Sequence, residues 1–234
     1  MTTKKPVCVV LGVGPGNGAA CAQRFADGGY AVALLARRDD YINELAEGLD
    51  DARAYSVDVS NERALKQVFA RIAEDMGPVS VLLYNVGSGV WGNVEALEPD
   101  ALRMHMEINV IGLLISAQQV IPAMKEAGNG AIIVTGATAS LRGGANFAGF
   151  ATPKGAQRIL AQSMARHLGP FGIHVALVIV DGAIEIDRGE GIGDHPADSK
   201  LKPWAIADTI FFLAHQPKSA RTFELDLRPY VEKW

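Results

Sequence analysis

Apolar runs and helix-like segments alternate along most of the chain. The first run, 7–11, holds no polar side chain, which is typical of a strand buried on both faces of a parallel sheet. Similar runs predict strands at 30–36, 52–57, 80–84, 131–135 and 172–180, and the segments between them carry apolar residues at helical spacing. This alternation predicts a doubly wound α/β fold with a parallel sheet and right-handed crossovers.

Three of the predicted helices have a distinctive start or length. Ser60 is a good N-cap residue for a helix with apolar residues from Ala64 to Ile72. A long helix is predicted from Pro99 to about Ala127. Pro153 lies within the first turns of a later helix, where proline is tolerated only close to the N-terminus. Either Thr152 is the N-cap of that helix, or the helix is kinked at the proline.

A glycine-rich turn follows the first strand and opens the next helical pattern. Its sequence is Gly12-Val-Gly14-Pro15-Gly16-Asn17-Gly18, followed by Ala19. Two dinucleotide fingerprints match it, Gly14-x-Gly16-x-x-Ala19 and Gly12-x-x-x-Gly16-x-Gly18. Such a turn lets the backbone approach a pyrophosphate, whose charge meets free N–H groups at the helix N-terminus. The segment therefore predicts a dinucleotide site, with a purely structural turn as the alternative.

The end of the second strand bears on the choice of cofactor. Arg37 and Arg38 follow that strand directly and Asp39 comes next. An arginine at this junction suits a ribose 2′-phosphate, whereas an acidic residue suits the 2′-hydroxyl. NADP(H) is therefore favoured and NAD(H) remains possible, and solvated arginines are the plain alternative. Asp58 and Val59 end the third strand, where Asp58 is either an adenine contact or an ordinary loop aspartate.

Composition and charge narrow the class of protein. The 234 residues are 49% hydrophobic and 21% charged without a linker-like shift, which indicates one domain over 1–234. The net charge of -4, from interspersed residues, argues against a nucleic-acid partner. No apolar stretch is expected to span a membrane or act as a secretory signal, so we expect no membrane partner and a cytoplasmic location. Cys8 and Cys21 are expected to be reduced core residues, and no metal site is predicted.

Five sequence elements together resemble the short-chain dehydrogenase/reductase family. They are the glycine turn, Asn85-x-Gly87, Asn109, Lys154, and Gly182 after the sixth strand. The resemblance covers nearly the full length of the chain. It implies a Rossmann fold of seven strands with 223–227 as the last, an oxidoreductase acting on a small molecule, and a homodimer or homotetramer packed through the two long helices.

The chain departs from the family at two catalytic positions. The family uses a Tyr four residues before the Lys and a Ser thirteen residues before that Tyr, and here these positions hold Phe150 and Ala137. Lys154 and Asn109 remain, and the resemblance implies that Lys154 hydrogen-bonds the nicotinamide ribose and that Asn109 holds a water at a helix distortion. A benzene ring can neither donate nor accept the proton, so the family's acid/base step cannot run through Phe150.

Other polar residues near these positions are candidates for the missing role. Thr138 and Ser140 offer hydroxyl groups that can orient a substrate oxygen but do not ionise at neutral pH. Asp181 stands where the family usually has proline, and is either a proton-transfer group or a carboxylate satisfied by loop N–H groups. His105 lies one helical turn before Asn109 and either shares its face or is packed elsewhere.

The predicted site is assembled from loops after the strands. The candidate cofactor-binding residues are Gly12, Gly14, Pro15, Gly16, Asn17, Gly18, Arg37, Arg38, Asp58, Val59, Asn85, Gly87, Lys154, Asp181, Gly182 and Ile184. An apolar lining or ordinary core is expected from Trp91, Phe147, Phe150, Ile184 and Ile186. By resemblance, 185–200, which has glycines at 189, 191 and 193, corresponds to a mobile substrate lid.

Two functions are consistent with these residues. The first is an NADP(H)-dependent oxidoreductase with non-standard acid/base residues, acting on an iminium, quinone or flavin that accepts hydride without a protein acid. The second is a catalytically degenerate NADP(H)-binding protein that serves as a sensor or a partner subunit.

Overall fold

Seven parallel strands form one sheet in the computed structural model, which describes residues 4–186, 196 and 198–233. The strands are β1 (Val7–Leu11), β2 (Ala31–Ala36), β3 (Ala52–Ser56), β4 (Val79–Tyr84), β5 (Gly130–Ala137), β6 (Ile173–Val180) and β7 (Glu224–Leu227). Their order is β3-β2-β1-β4-β5-β6-β7. The predicted doubly wound Rossmann fold with a seven-stranded sheet is confirmed.

Helices cover both faces of this sheet. The seven α-helices of the described residues are α1 (Asn17–Asp27), α2 (Asp39–Glu47), α3 (Glu62–Asp75), α4 (Pro99–Met106), α5 (Gly112–Glu126), α6 (Ala148–Leu168) and α7 (Pro203–Ala214). A π-helical turn, Glu107–Ile111, joins α4 to α5, and 3₁₀ turns occupy Thr138–Ser140 and Gly169–Phe171.

The apolar strands are explained by burial on both sides. Val9 and Leu11 of β1 belong to a core shared with α3, α5 and α6, whereas Cys8 and Val10 belong to a core shared with α1, α2 and α7. Successive strand residues face opposite sides, so neither side of β1 tolerates a polar residue. Cys8 is buried with a free thiol, and so is Cys21, in agreement with the prediction.

The strand order locates the site before any side chain is considered. β1 pairs with β2 on one side and with β4 on the other. The connection after β1 runs to β2, whereas the connection after β3 crosses over to β4, so the direction of winding changes between β1 and β4. In open α/β sheets, ligands bind in the crevice at the carboxyl ends of such a pair. The glycine turn after β1 and Asn85 after β4 border this crevice.

One prediction about a helix start is wrong, and one of the two alternatives for another is excluded. The N-cap of α3 is Asn61, whose side-chain oxygen accepts from the Ala64 N–H at 3.0 Å. Ser60 instead directs its N–H and hydroxyl to the Asp58 carboxylate. Thr152 is not an N-cap either, because α6 begins at Ala148 and continues through the proline.

The start of α6 has a local physical reason. The Phe147 carbonyl accepts from Phe150 N–H and Ala151 N–H, at 3.0 and 2.7 Å, so the first turn is complete before Pro153. The proline then removes one intrahelical hydrogen bond without ending the helix. Side chains beyond it, Ala161 and Met164, remain packed in the core and hold the rest of α6 on the sheet.

The predicted long helix contains a distortion at Asn109. The Gly112 N–H bonds to the Glu107 carbonyl five residues earlier, which is the π-helical pattern. Tyr84 of β4 donates its hydroxyl to the Ile108 carbonyl within this turn. A Cβ on Gly112 would lie 2.5 Å from that hydroxyl oxygen, so glycine is required for the contact.

The span Pro99–Glu126 is the only described helix long and apolar enough to cross a membrane by length and composition. This differs from our expectation that no stretch reaches that length. The apolar composition has a second explanation, because Leu113, Val120 and Met124 are buried in the core between α5 and the sheet. A core helix passes the same test, so the finding is weak evidence for a membrane span.

We predict that Gly112→Ala lowers the free energy of unfolding by about 1–3 kcal/mol, as overpacking in a core does, because the new methyl group displaces the Tyr84 hydroxyl. In a Tyr84→Phe background the same change should cost less, since the clashing atom is absent. Urea unfolding of the four proteins measures both costs. Gly143→Ala is the control, because no atom lies within 4 Å of a Cβ there. Equal costs in both backgrounds would contradict this account of the turn.

Candidate active site

Two adjoining cavities run along the carboxyl edge of the sheet. Each has a volume of about 610 Å³. Gly12, Gly14, Asn85 and Gly87 line both of them, so the crevice between β1 and β4 is the middle of one continuous groove. The first cavity extends over β2 and β3, and the second extends over β5 and β6. A groove of this shape suits an elongated, two-part ligand.

The turn contains glycine at several positions, and the physical reason for glycine differs among them. Gly12 has φ +81°, and a Cβ there would lie 2.9 Å from the backbone of Asn85. A Cβ on Gly18 would lie 2.6 Å from the Gly12 carbonyl oxygen. These two glycines allow β1, β4 and α1 to approach one another. Gly14 has no atom within 4 Å of its Cβ position, so its missing side chain leaves open space in the groove.

The N-terminus of α1 is suited to an anion. Gly16 is its N-cap with φ +122°, and the first turn has neither a capping side chain nor an acidic residue. Asn17 lines the second cavity, and its side-chain Oδ1 is buried without a partner among the residues that the structure describes. Rotating the amide by half a turn exchanges donor and acceptor. The helix dipole and the uncapped N–H groups of the first turn therefore fit the pyrophosphate of a dinucleotide.

Basic side chains border the outer end of the first cavity. Arg37 and Arg38 line it and are exposed, and neither forms an ion pair with any described residue. Asp58 also lines it. Hydrogen bonds from the Ser60 side chain and backbone, with a smaller contribution from Arg37, lower the pKa of Asp58. Val59 is buried beside Asp58 at the same end of β3.

The middle of the groove is braced by two asparagines. Asn85 donates to the Gly12 carbonyl at 3.0 Å and accepts from the Thr135 hydroxyl at 3.1 Å. Asn109 is fully buried and donates to the carbonyls of Ser88 and His105 at 2.7 and 2.8 Å. These bonds join the loop after β4 to β1, β5 and the π turn.

His105 packs inside the protein, away from the groove. It is buried, and its Nδ1 lies 2.8 Å from the Ser88 hydroxyl. It does not line either cavity of the groove. The alternative of a packed histidine therefore describes the observed position better than that of a site residue.

Lys154 reaches the second cavity from α6. Its Nζ donates to the Thr135 carbonyl and to Gln157 Oε1, both at 2.9 Å. Only 4% of the residue is exposed, and burial lowers the pKa of Lys154 to about 8. Gln157 in turn donates to the Asn109 carbonyl at 2.9 Å. Sequence reasoning missed Gln157, although a polar residue three positions after Lys154 shares its helix face.

Phe150 forms part of an aromatic cluster at the second cavity. Its ring centroid lies 4.8 Å from that of Trp91, which lies 5.0 Å from that of Phe147, both edge to face. A Cβ on Gly89 would lie 2.4 Å from the Phe150 ring, so the backbone there packs directly against it. Phe147, Phe150 and Ala137 all line this cavity, whereas Trp91 supports it from outside.

The predicted hydroxyl and carboxyl candidates are engaged within the protein. Thr138 lines the second cavity but donates to the Asp181 carboxylate. Asp181 is buried and pairs with Arg228 at 3.0 Å, so a side-chain hydroxyl and a guanidinium satisfy it instead of loop N–H groups. Ser140 donates to the Ala137 carbonyl at 2.6 Å. Neither Asp181 nor Ser140 lines the described part of the cavity.

The remaining predicted residues close one side of the same cavity. Gly182 has φ +138° and packs against Pro229, which a Cβ would approach to 2.7 Å. Ile184 and Ile186 line the cavity, as does Pro15. Of the predicted lid at 185–200, residues 187–195 and 197 lie outside the described part of the chain. The described residues contain no group of three or more potential metal ligands.

Comparison with known proteins shows the family to which the chain belongs. A sequence profile of the family described as short chain dehydrogenase matches residues 6–190. The chain belongs to this family. Short-chain dehydrogenases are oxidoreductases.

Relatives and solved structures match nearly the whole chain. Trans-4-hydroxycyclohexanecarboxylate dehydrogenase of Sinomonas cyclohexanicum is 30% identical over 92% of this chain and 88% of its own length. A short-chain dehydrogenase structure from Rhodopseudomonas palustris is 35% identical, with a TM-score of 0.81 over 96% of this chain and 99% of that one. An alcohol dehydrogenase from the archaeon Thermococcus sibiricus, complexed with 5-hydroxy-NADP, is 26% identical with a TM-score of 0.86 over 97% and 98%.

In this short-chain dehydrogenase the predicted site residues lie along the groove and in the interior beside it. Lys154 and Asn109 are buried, and Phe150 and Ala137 line the second cavity. Lys154 is the only titratable side chain in the described lining of the second cavity. Sequence reasoning also missed Tyr84 and Gly112, whose contact only the fold reveals.

Proposed function

We propose that this chain is an NADP(H)-dependent oxidoreductase whose second cavity takes an acceptor that needs no proton from a side chain. The observation that carries the proposal is the lining of that cavity, where Lys154 is the only titratable group among the described residues. NADPH, when bound, supplies hydride. The protein binds and orients both ligands. The charge of Lys154 depends on pH near neutrality because burial lowers its pKa to about 8.

Several features support NADP(H) as the cofactor. The open space at Gly14 and the uncapped N-terminus of α1 fit a pyrophosphate. Arg37 and Arg38, which have no described ion pair, fit a 2′-phosphate, because guanidinium groups bind phosphate through paired hydrogen bonds. The Thermococcus sibiricus structure is described as a complex with 5-hydroxy-NADP.

The chemistry of the lining favours one class of acceptor. Reduction of a ketone builds an alkoxide charge that a nearby acid must quench, and the described lining offers no tyrosine, histidine or carboxylic acid. An iminium becomes a neutral amine on accepting hydride, and a quinone or flavin spreads the charge over its rings. Phe147 and Phe150, which Trp91 supports from outside the cavity, present apolar faces and edges to such planar molecules, and aromatic faces also attract cations.

We do not propose that this chain acts on the substrates for which its relatives are named. The Sinomonas cyclohexanicum enzyme is named for a hydroxy acid. Removal of hydrogen from a hydroxyl requires a base, and Lys154 is the only titratable group that the described lining offers. The homodimer or homotetramer and the cytoplasmic location stay predictions. The catalytically degenerate sensor or partner subunit is distinguished by the third experiment below.

We predict that Gly14→Val weakens NADPH binding at least about tenfold, or about 1.4 kcal/mol, because the side chain fills the middle of the groove. The free energy of unfolding should stay within about 0.5 kcal/mol of wild type, as for surface changes away from contacts. Fluorescence titration and urea unfolding measure the two quantities. Gly18→Ala is the matched control, because its Cβ meets the Gly12 carbonyl and should reduce stability. Full NADPH affinity in Gly14→Val would exclude this groove as the cofactor site.

We predict that Arg37→Ala weakens NADPH binding by about ten- to a hundredfold, since a hydrogen bond to a charged group contributes about 1.5–3 kcal/mol. NADH affinity should hardly change, because NADH has no 2′-phosphate. Titration of both cofactors measures the two affinities, and Arg63→Ala is the control, because Arg63 is exposed on α3 and does not line the groove. Equal losses for NADPH and NADH would show that Arg37 does not read the 2′-phosphate.

We predict that wild type reduces simple ketones poorly and that Phe150→Tyr with Ala137→Ser raises this rate. A positioned general acid contributes about 10²–10⁴-fold, and we expect a gain that is partial within that range because displacement of about 1 Å already reduces catalysis. NADPH oxidation with ketone and iminium acceptors measures the change, and reduction of the iminium should be little affected.

Adding Lys154→Met to the double variant is the control, and it should remove the gain in ketone reduction. Wild type that reduces simple ketones as fast as the double variant would contradict the proposal. If neither protein turns over any acceptor although NADPH binds, the sensor or partner subunit is the better description.

A further inference from the structure

A buried chain of hydrogen bonds connects the catalytic lysine to the π turn. Lys154 Nζ donates to Gln157 Oε1, and Gln157 Nε2 donates to the Asn109 carbonyl, both at 2.9 Å. Gln157 and Asn109 are fully buried and Lys154 is nearly so. The bridge is therefore made inside the protein, where a polar group without a partner is costly.

The orientation of the Gln157 amide follows from its two partners. An ammonium group can only donate hydrogen bonds and a carbonyl can only accept them. The amide oxygen must therefore face Lys154 and the amide nitrogen must face Asn109. This orientation allows no proton to pass along the bridge, because an amide at neutral pH neither gains nor loses a proton.

The π turn creates the acceptor that Gln157 satisfies. Carbonyl groups in such a turn lose their regular partners, and here the two adjacent ones receive side-chain donors, Ile108 from Tyr84 and Asn109 from Gln157. The family resemblance assigns the Asn109 position to the binding of a water. In this chain a covalently attached amide donates to that carbonyl.

The bridge also limits what the lysine can do. Two of the three Nζ donors are used by Thr135 and Gln157. The third has no partner among the described residues, and the backbone of Gly87 in the shared part of the groove lies beside Nζ. Lys154 therefore offers one N–H donor to the groove.

We propose that Gln157 is a positioning residue, which holds Lys154 with a single N–H donor free for the groove and blocks proton exchange between the lysine and the π turn. The titration of the lysine does not depend on the proposed function, whereas the effect on cofactor binding rests on it. Gln157 separates the lysine from the π turn on the interior side. On the side of the groove, Phe150 offers no group with which the lysine can exchange a proton.

Other charged groups around Lys154 are engaged elsewhere. On α4, His105 contacts Ser88; at the end of β6, Asp181 contacts Thr138 and Arg228; on α6, Arg158 pairs with Glu224 at 2.5 Å. Burial is the only resolved cause of the lowered pKa of Lys154. A new charge at position 157 would therefore act on the lysine without competition from a neighbouring ion pair.

The test is to titrate Lys154 directly in the full chain without cofactor. Protein labelled with ¹³C and ¹⁵N in lysine is followed by NMR against pH, and the Lys154 signal is assigned by its loss in Lys154→Met. The wild-type midpoint is expected at about 8. Gln157→Glu should raise it by about one to three pH units, because an opposite charge favours the ammonium form, whereas Gln157→Met should lower it because an acceptor is lost.

Matched controls separate this role from packing. Gln162→Glu places the same charge on the same helix away from the lysine and should leave the midpoint unchanged, and urea unfolding shows whether each variant folds. Opposite shifts in the two Gln157 variants support the proposal. An unchanged midpoint in either folded variant overturns it, so Gln157→Met alone decides the matter if Gln157→Glu does not fold.

A second arm connects the bridge to the cofactor. The affinity of wild type for NADPH should fall as the pH rises through the lysine midpoint, because the charged donor is lost, and the fall should move to higher pH in Gln157→Glu. If the midpoints shift as expected but NADPH does not bind, the proposed function fails and the bridge stands. If NADPH binds with the same pH dependence in all variants, the bridge does not position Lys154 for the cofactor.

Discussion

The groove depends on the two hydrogen bonds that the side-chain amide of Asn85 forms. The amide joins the Gly12 carbonyl after β1 to the Thr135 hydroxyl in β5, at 3.0 and 3.1 Å. Gly12 permits this only because it lacks a Cβ, which would lie 2.9 Å from the Asn85 backbone. Three strand ends are thereby held in one arrangement. Asn85 lines both cavities. Lys154 donates to the carbonyl of Thr135, the same residue whose hydroxyl donates to Asn85.

The second cavity combines a buried lysine with an aromatic wall. Lys154 and Asn109 are buried and hydrogen-bonded, so the fold still bears the cost of placing a lysine in the interior, where burial lowers its pKa to about 8. Phe150 is packed between the Gly89 backbone and Trp91 and can exchange no proton. This lining is the basis for proposing hydride transfer to an acceptor that needs no proton from a side chain.

Much of the fold followed from sequence because local rules and packing agree. The apolar run before Gly12 predicts a strand buried on both faces, and the glycine turn predicts the crevice where the groove lies. Ser60 and Asn61 are both good caps, and local chemistry could not decide between neighbours until Asp58 was seen to bind Ser60. Local sequence also left two possibilities at Pro153, and the fold excludes the N-cap at Thr152 because α6 begins at Ala148 and continues through the proline.

The finer features of the site depend on contacts between distant segments. The pairing of Asp181 with Arg228 joins β6 to the segment after β7, and no spacing rule predicts it. The Gln157 bridge likewise requires α6 to lie against the π turn, and that turn requires Tyr84 to reach Ile108 past Gly112. Resemblance to the family indicated a distortion at Asn109, but only the assembled fold shows which side chains satisfy its carbonyls.

The most direct test of the central claim is the rate of NADPH oxidation by an N-alkylated cyclic iminium, measured in single turnovers in ordinary water and in deuterium oxide. NADPH deuterated at the transferred position establishes that hydride transfer is being observed. The account predicts a rate that slows with deuterated NADPH but is the same in both solvents, because no proton moves in that step. A rate that falls clearly in deuterium oxide would show that a proton is transferred at hydride transfer and would contradict the account.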